Sequence, residues 1–98
     1  MVNKVAWITG AGSGIGEASA IKLSEEGFIV VLSGRTKEAL DSVASKCGGQ
    51  ASVEPLDVSN SEDVEGVFKN IISDYGRIDV LVASAGLNAK NRNWHNVS

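Results

Sequence analysis

The chain has 98 residues, 43% hydrophobic and 21% charged, with nine Lys and Arg against twelve Asp and Glu for a formal net charge of -3. That composition excludes a disordered, collagen-like or low-complexity protein, and the length allows one small domain or half of a larger one. No basic stripe exists to neutralise a phosphate backbone, so no nucleic-acid partner is expected.

Residues 5–8 are a short apolar run, the first predicted strand, and they lead into a glycine-rich turn. Residues 14 to about 26 read as a helix with Ile15, Ala18, Ile21 and Leu23 on its apolar side and Gly27 as its stop. Residues 28–32 are five consecutive apolar residues rich in β-branched types, which predicts a strand buried on both faces. Residues 36–46 form the second predicted helix, with Leu40, Val43, Ala44 and Cys47 on one stripe and Gly48-Gly49 at its end. Cys47 is the single cysteine, so an internal disulfide or cysteine-based metal cluster is excluded, and a buried place on the helix face is expected.

Residues 51–56 are the third predicted strand, with Pro55 near its end where a missing N–H matters least. Ser59-Asn60-Ser61-Glu62 fits a capping box at a helix start. In the helix that follows, Val64, Val67, Phe68, Ile71, Ile72 and Tyr75 recur at helical spacing, a stripe read as core and not as a seam for a partner helix. Gly76 stops it, and residues 78–83 are the fourth predicted strand.

The order βαβαβαβ implies an α/β fold with a parallel sheet and right-handed crossovers. No repeat or linker interrupts residues 1–86. Residues 87–98 differ in kind: Asn88, Asn91, Asn93 and Asn96 crowd them and apolar periodicity is lost. No charged, then apolar, leader precedes the first strand and no apolar run is long enough to span a bilayer, so a cytoplasmic location without a membrane partner is expected.

Thr9-Gly10-Ala11-Gly12-Ser13-Gly14-Ile15-Gly16 joins the first strand to the first helix. Glycine there permits positive φ in a tight turn and, lacking Cβ, lets backbone N–H groups approach an anion. The positive end of the following helix favours a phosphate at the same point. Neither Gly10 nor Gly12 begins a Gly-x-Gly-x-x-Gly pattern, because Ile15 and Glu17 stand where the last glycine is required. No Gly-Lys-Ser/Thr occurs, which rules out a P-loop. What stands is Thr-Gly-x-x-x-Gly-x-Gly.

That pattern resembles the cofactor loop of the short-chain dehydrogenase/reductase family, and further motifs follow in the family's order over nearly the whole chain. Asp57-Val58 looks like the adenine-contacting pair, in which the Asp57 carboxylate accepts from the adenine amino group and the Val58 backbone meets a ring nitrogen. Residues 76–82 are similar to the stretch the family places before its Asn-Asn-Ala-Gly. Here that motif reads Ala83-Ser84-Ala85-Gly86, so Ala83 offers only backbone groups and Ser84 one short hydroxyl.

The resemblance implies a Rossmann-type sheet with strand order 3-2-1-4, and cofactor contacts from Gly10, Ser13, Gly14, Ile15, Gly16, Arg35, Thr36, Asp57, Val58, Ser84, Ala85 and Gly86. In dinucleotide folds an acid near the end of the second strand selects NAD, whereas an arginine accommodates the 2′-phosphate of NADP. Gly34 stands where the acid is expected and Arg35 follows it, with Ser33 and Thr36 as further hydroxyl donors. The expected cofactor is therefore NADP in preference to NAD. Glu38 is the alternative partner for Arg35, as a surface ion pair.

The family's chemistry is hydride transfer between the nicotinamide and a carbonyl or alcohol carbon, assisted by Tyr-x-x-x-Lys, a serine and an asparagine. None of these groups can be placed in this chain. Tyr75, the only tyrosine, is followed by Asp79 where the lysine is required. His95, the only histidine, has no Asp or Glu within fifteen residues and is not read as a catalytic or metal ligand. The expectation is that residues 1–86 are the dinucleotide-binding half of a longer oxidoreductase acting on a small carbonyl or alcohol, a homo-oligomer when complete. Residues 87–98 then lead to the remainder. The alternative is a non-catalytic nucleotide-binding or interaction module on a half-Rossmann scaffold. An apolar fourth strand with an open edge favours the first account, because such an edge invites aggregation.

Overall fold

The computed structural model describes residues 4–12, 14–48 and 50–83. Seven elements alternate: β1 (Val5–Thr9), α1 (Gly14–Glu25), β2 (Ile29–Ser33), α2 (Lys37–Lys46), β3 (Ala51–Val53), α3 (Ser61–Tyr75) and β4 (Val80–Ala83). The strands form one parallel sheet in the order β3-β2-β1-β4, as the family resemblance implies.

Strand periodicity divides the core in two. Alternate residues of β1 and β2 point to opposite faces. Ala6, Ile8, Val30 and Leu32 meet α1 and α2 residues such as Ala20, Leu40 and Val43. Val5, Trp7, Ile29 and Val31 meet Val67 and Ile71 of α3. β1 and β2 are buried throughout, which explains their unbroken apolar sequence; β3 and β4 are the half-buried edges. β3 is shorter than predicted. Its pairing with β2 nonetheless continues past Val53, with Glu54 N donating to Leu32 O and Leu56 N to Gly34 O, both at 2.8 Å. Pro55 lies between these two donors, where no ladder bond is required.

α2 buries the expected Leu40 and Val43, whereas α1 and α3 bury less of their predicted stripes. On α1 the buried ridge is Gly16, Ala20 and Ser24 at i, i+4 and i+8. Ile21 and Leu23 are partly buried, whereas Ala18 is exposed and Ile15 is 75% exposed. Small side chains let the helix backbone settle close to the sheet, and that proximity outweighs the larger apolar groups beside it. On α3, Val67 and Ile71 are buried and Val64 and Tyr75 half-buried, but Phe68 and Ile72 remain 40% and 39% exposed. The expected stripe is wider than the sheet surface that covers it. Tyr75 Oη and Ser52 Oγ share a 2.8 Å hydrogen bond. α3 runs back toward the strands' N-terminal ends, so Tyr75 lies at the opposite end of the sheet from the glycine turn.

Two anchors hold that opposite end. Val5 N donates to Asp79 Oδ2 at 2.8 Å and Asp79 N to Val5 O at 2.8 Å. Arg77 adds a fork, Nε to Oδ2 at 2.8 Å and Nη2 to Oδ1 at 2.7 Å. Arg77 above all, then the Val5 N–H, holds the Asp79 carboxyl below the usual carboxylate range. Cys47 is buried, as expected, at the C-cap of α2. Burial pushes its thiol up, with a hydrogen bond to Ser24 acting in the opposite sense.

The cap of α3 is Asn60, one residue beyond the expected Ser59. Its Oδ1 accepts from Glu62 N at 2.9 Å and Asp63 N at 3.1 Å, satisfying two of the helix's unpaired donors. Asn60→Ala is expected to destabilise the chain by about 1 kcal/mol, lowering the urea midpoint with an unchanged slope. A midpoint equal to that of the wild type would remove Asn60 as the cap.

Candidate functional site

Because the four strands are parallel, their C-terminal ends meet along one edge, and Gly10, Gly34, Arg35, Thr36, Asp57 and Val58 follow those ends. The turn after β1 is stitched to the end of β2, Ala11 N donating to Ser33 O at 3.1 Å. The segment after β3 is stitched to the other side of the same strand end by the Leu56–Gly34 bond. Gly10–Gly12, Gly34–Thr36 and Leu56–Val58 therefore lie side by side, the β2 end in the middle.

The glycine turn shows what each glycine is for. Gly10 and Gly14 have φ of 72° and 49°, in the left-handed region that disfavours a side chain. A Cβ on Gly12 would meet Ala39 Cβ at 3.0 Å, so the turn packs tightly on α2. A Cβ on Gly14 would meet nothing within 4 Å, because this face of the turn is open. Gly14 and Ile15 begin α1 exposed and Gly16 is buried beneath them. The first N–H groups of a helix lack intrahelical partners and carry its positive end. Here they begin beside the open space at Gly14, in a glycine-rich turn, an arrangement suited to a phosphate.

Arg35 and Thr36 are exposed at the end of β2. Arg35 forms no hydrogen bond or ion pair among the described residues, and the alternative pairing with Glu38 is not made. Thr36 is the N-cap of α2, but its hydroxyl makes no capping bond. Ser33 differs from expectation. It is fully buried and its Oγ accepts from Trp7 Nε1 at 2.9 Å inside the α3-side core, so it offers no donor to this edge.

Asp57 and Val58 follow β3 beside Arg35. The Ser59 hydroxyl, then the Ser59 N–H, hold the Asp57 carboxyl below the usual carboxylate range, and the Arg35 charge acts in the same direction. Val58 is 39% exposed. Ser13, Ser84, Ala85 and Gly86 lie outside the described residues, as do Trp94 and His95. Sequence reasoning missed the contact of Ser59 with Asp57. The Asp-x-Ser spacing is its signal, since an aspartate commonly bonds backbone two residues on. Among the described residues no helix is long and apolar enough to cross a membrane.

A parallel 3-2-1-4 sheet with a glycine turn leading into α1 defines the N-terminal part of a Rossmann-type fold. The short chain dehydrogenase family model matches residues 4–98, and the chain belongs to that family. It is 47% identical over 87 residues to an uncharacterized oxidoreductase of Staphylococcus aureus strain USA300, a match covering 88% of this chain and 38% of that relative. Among solved structures it superimposes on a metagenomic short-chain oxidoreductase in complex with NADP, with TM-score 0.84 and 34% identity, over 96% of this chain and 48% of the other. The 3-ketoacyl-(acyl-carrier-protein) reductase of Brucella melitensis, complexed with NADH, matches with TM-score 0.75 and 38% identity, over 82% of this chain and 33% of the other. The chain thus spans less than half the length of each of these proteins.

Proposed function

We propose that this chain is the cofactor-binding half of an oxidoreductase that moves a hydride between NADP(H) and a small carbonyl or alcohol substrate. The observation that carries the choice of cofactor is Arg35, exposed and free of a salt-bridge partner among the described residues, directly after Gly34, which stands where an NAD-selecting fold needs an acid. Gly10, Ser13, Gly14, Ile15 and Gly16 hold the pyrophosphate with backbone N–H groups at the start of α1. The Arg35 guanidinium forks onto the 2′-phosphate, and the Thr36 hydroxyl adds a donor. Asp57 and Val58 receive the adenine, and Ser84, Ala85 and Gly86 contribute main-chain contacts to the cofactor. Residues 1–86 form this half-domain and 87–98 lead from it. The catalytic groups belong to the remainder of the oxidoreductase, and the complete protein is a cytoplasmic homo-oligomer.

The nicotinamide supplies or accepts the hydride when bound; the residues described here bind and orient it. The test is a pair of titrations by nicotinamide fluorescence. Wild type is expected to prefer NADPH to NADH. Arg35→Asp removes a charge-assisted, two-pronged contact and places a carboxylate beside the 2′-phosphate. It is expected to weaken NADPH about 10- to 100-fold and to leave NADH binding equal or tighter. An unchanged preference would take Arg35 out of the site.

A further inference from the structure

Asp57 is held from three directions. Its N–H donates to Asp63 Oδ2 at 3.3 Å, and its carbonyl accepts from Asn60 N at 2.9 Å. Both donors of Ser59 go to one carboxylate oxygen, Oδ1: the backbone N–H at 2.9 Å and the hydroxyl at 2.7 Å. Among the described residues Asp57 Oδ2 accepts no hydrogen bond. The carboxylate is thereby locked with one oxygen saturated and one open, on a segment bonded to the β2 end beside Arg35. The exposed Val58 side chain lies next to it.

An ionised carboxylate is acceptor-only. Its open oxygen rewards a base that presents an amino group and rejects one that presents a carbonyl at the same place. Rotation about the Asp57 side chain would blunt that discrimination, and the two Ser59 hydrogen bonds to Oδ1 oppose it. We propose that Ser59 is a positioning residue for nucleobase recognition: by taking Asp57 Oδ1 it aims Oδ2 at an exocyclic amino group, so that the site selects adenine over hypoxanthine. This rests on the reading of the edge as a dinucleotide site and deepens it, because Ser59 acts only through Asp57.

The experiment compares NADPH with its hypoxanthine analogue, in which a carbonyl replaces the 6-amino group, on wild type, Ser59→Ala and Ser59→Thr. Ser59 is exposed and the α3 cap is Asn60, so both variants retain the helix start; urea unfolding verifies this. Wild type is expected to bind NADPH about tenfold or more tightly than the analogue, in line with one hydrogen bond to a charged group. In Ser59→Ala, which keeps only the backbone N–H on Oδ1, that ratio falls through loss of NADPH affinity, while affinity for the analogue stays within about twofold. Ser59→Thr, which keeps the hydroxyl, restores the ratio. Equal weakening of both nucleotides in Ser59→Ala would mean a merely structural role and overturn the proposal, as would a full adenine preference kept without the hydroxyl. If wild type binds both nucleotides equally well, Asp57 does not read the base and the proposal falls with that assignment alone. If wild type binds neither nucleotide, the dinucleotide reading itself fails.

Discussion

Replacing Gly14 with valine is expected to abolish binding of NADPH and NADH alike, with at least a 100-fold loss of affinity. Two effects combine. Gly14 has a φ of 49°, where a β-branched residue is strained by about 1–3 kcal/mol. The new side chain also projects into open space, since nothing lies within 4 Å of a Cβ at this position. The protein therefore has no packing reason to exclude it, whereas a phosphate approaching the first N–H groups of α1 does. The helix start is expected to survive, which far-UV circular dichroism checks, while nicotinamide fluorescence titration reports the loss. Affinity retained within about threefold would sink the assignment of this turn to a phosphate, because no close approach of backbone to ligand would then be in use. The contrast with Gly12 is instructive. There a Cβ meets Ala39 at 3.0 Å, so a substitution disturbs the packing of the turn on α2 before any ligand is involved.

Trp7→Ala is expected to cost about 3–5 kcal/mol, enough to leave a small domain largely unfolded at room temperature. Trp7 is 2% exposed at the centre of the α3-side core, among Val5, Val31, Val67 and Ile71. Its removal creates a cavity against β2 and α3 and strands the buried Ser33 hydroxyl. Ser33→Ala makes the smaller, sharper test. It leaves the indole N–H without its acceptor in a dry core, for about 1–3 kcal/mol. Because Ser33 faces the core and not the cofactor edge, that substitution lowers the urea midpoint and leaves nucleotide affinity unchanged. A large loss of NADPH affinity in folded Ser33→Ala would contradict the direction assigned to this side chain.

Much of the architecture was legible in the chain itself. Runs of β-branched residues separated by helical periodicity specify alternating strands and helices, and that alternation with short connections forces parallel pairing. The fully apolar runs of β1 and β2 announce central strands, and the edges are marked by the shorter, more polar β3. The glycine turn, Arg35 and Asp57 could be placed at strand ends because connections follow strands in sequence. All three arrive at the same edge of the sheet because parallel strands end together.

Direction and distance emerge only once the elements pack. Periodicity marks Ile15 as an apolar helix residue but cannot tell that α1 docks through Gly16, Ala20 and Ser24, whose small size lets backbone approach the sheet. It groups Phe68 and Ile72 with Val67 and Ile71, although the sheet is wide enough to cover only the latter pair. Ser33 is as polar as Thr36 in the sequence, yet the strand's two-residue repeat turns it toward Trp7 on the opposite side of the sheet from Leu32. The order of elements, the parallel direction of the strands and the edge at which the polar residues gather follow from local pattern and chain connectivity, whereas the strand order 3-2-1-4 came with the family resemblance. Which oxygen of Asp57 is closed and which is open was decided by a turn of three residues held against Asn60 and Asp63, because hydrogen-bond direction exists only once the backbone is set in space.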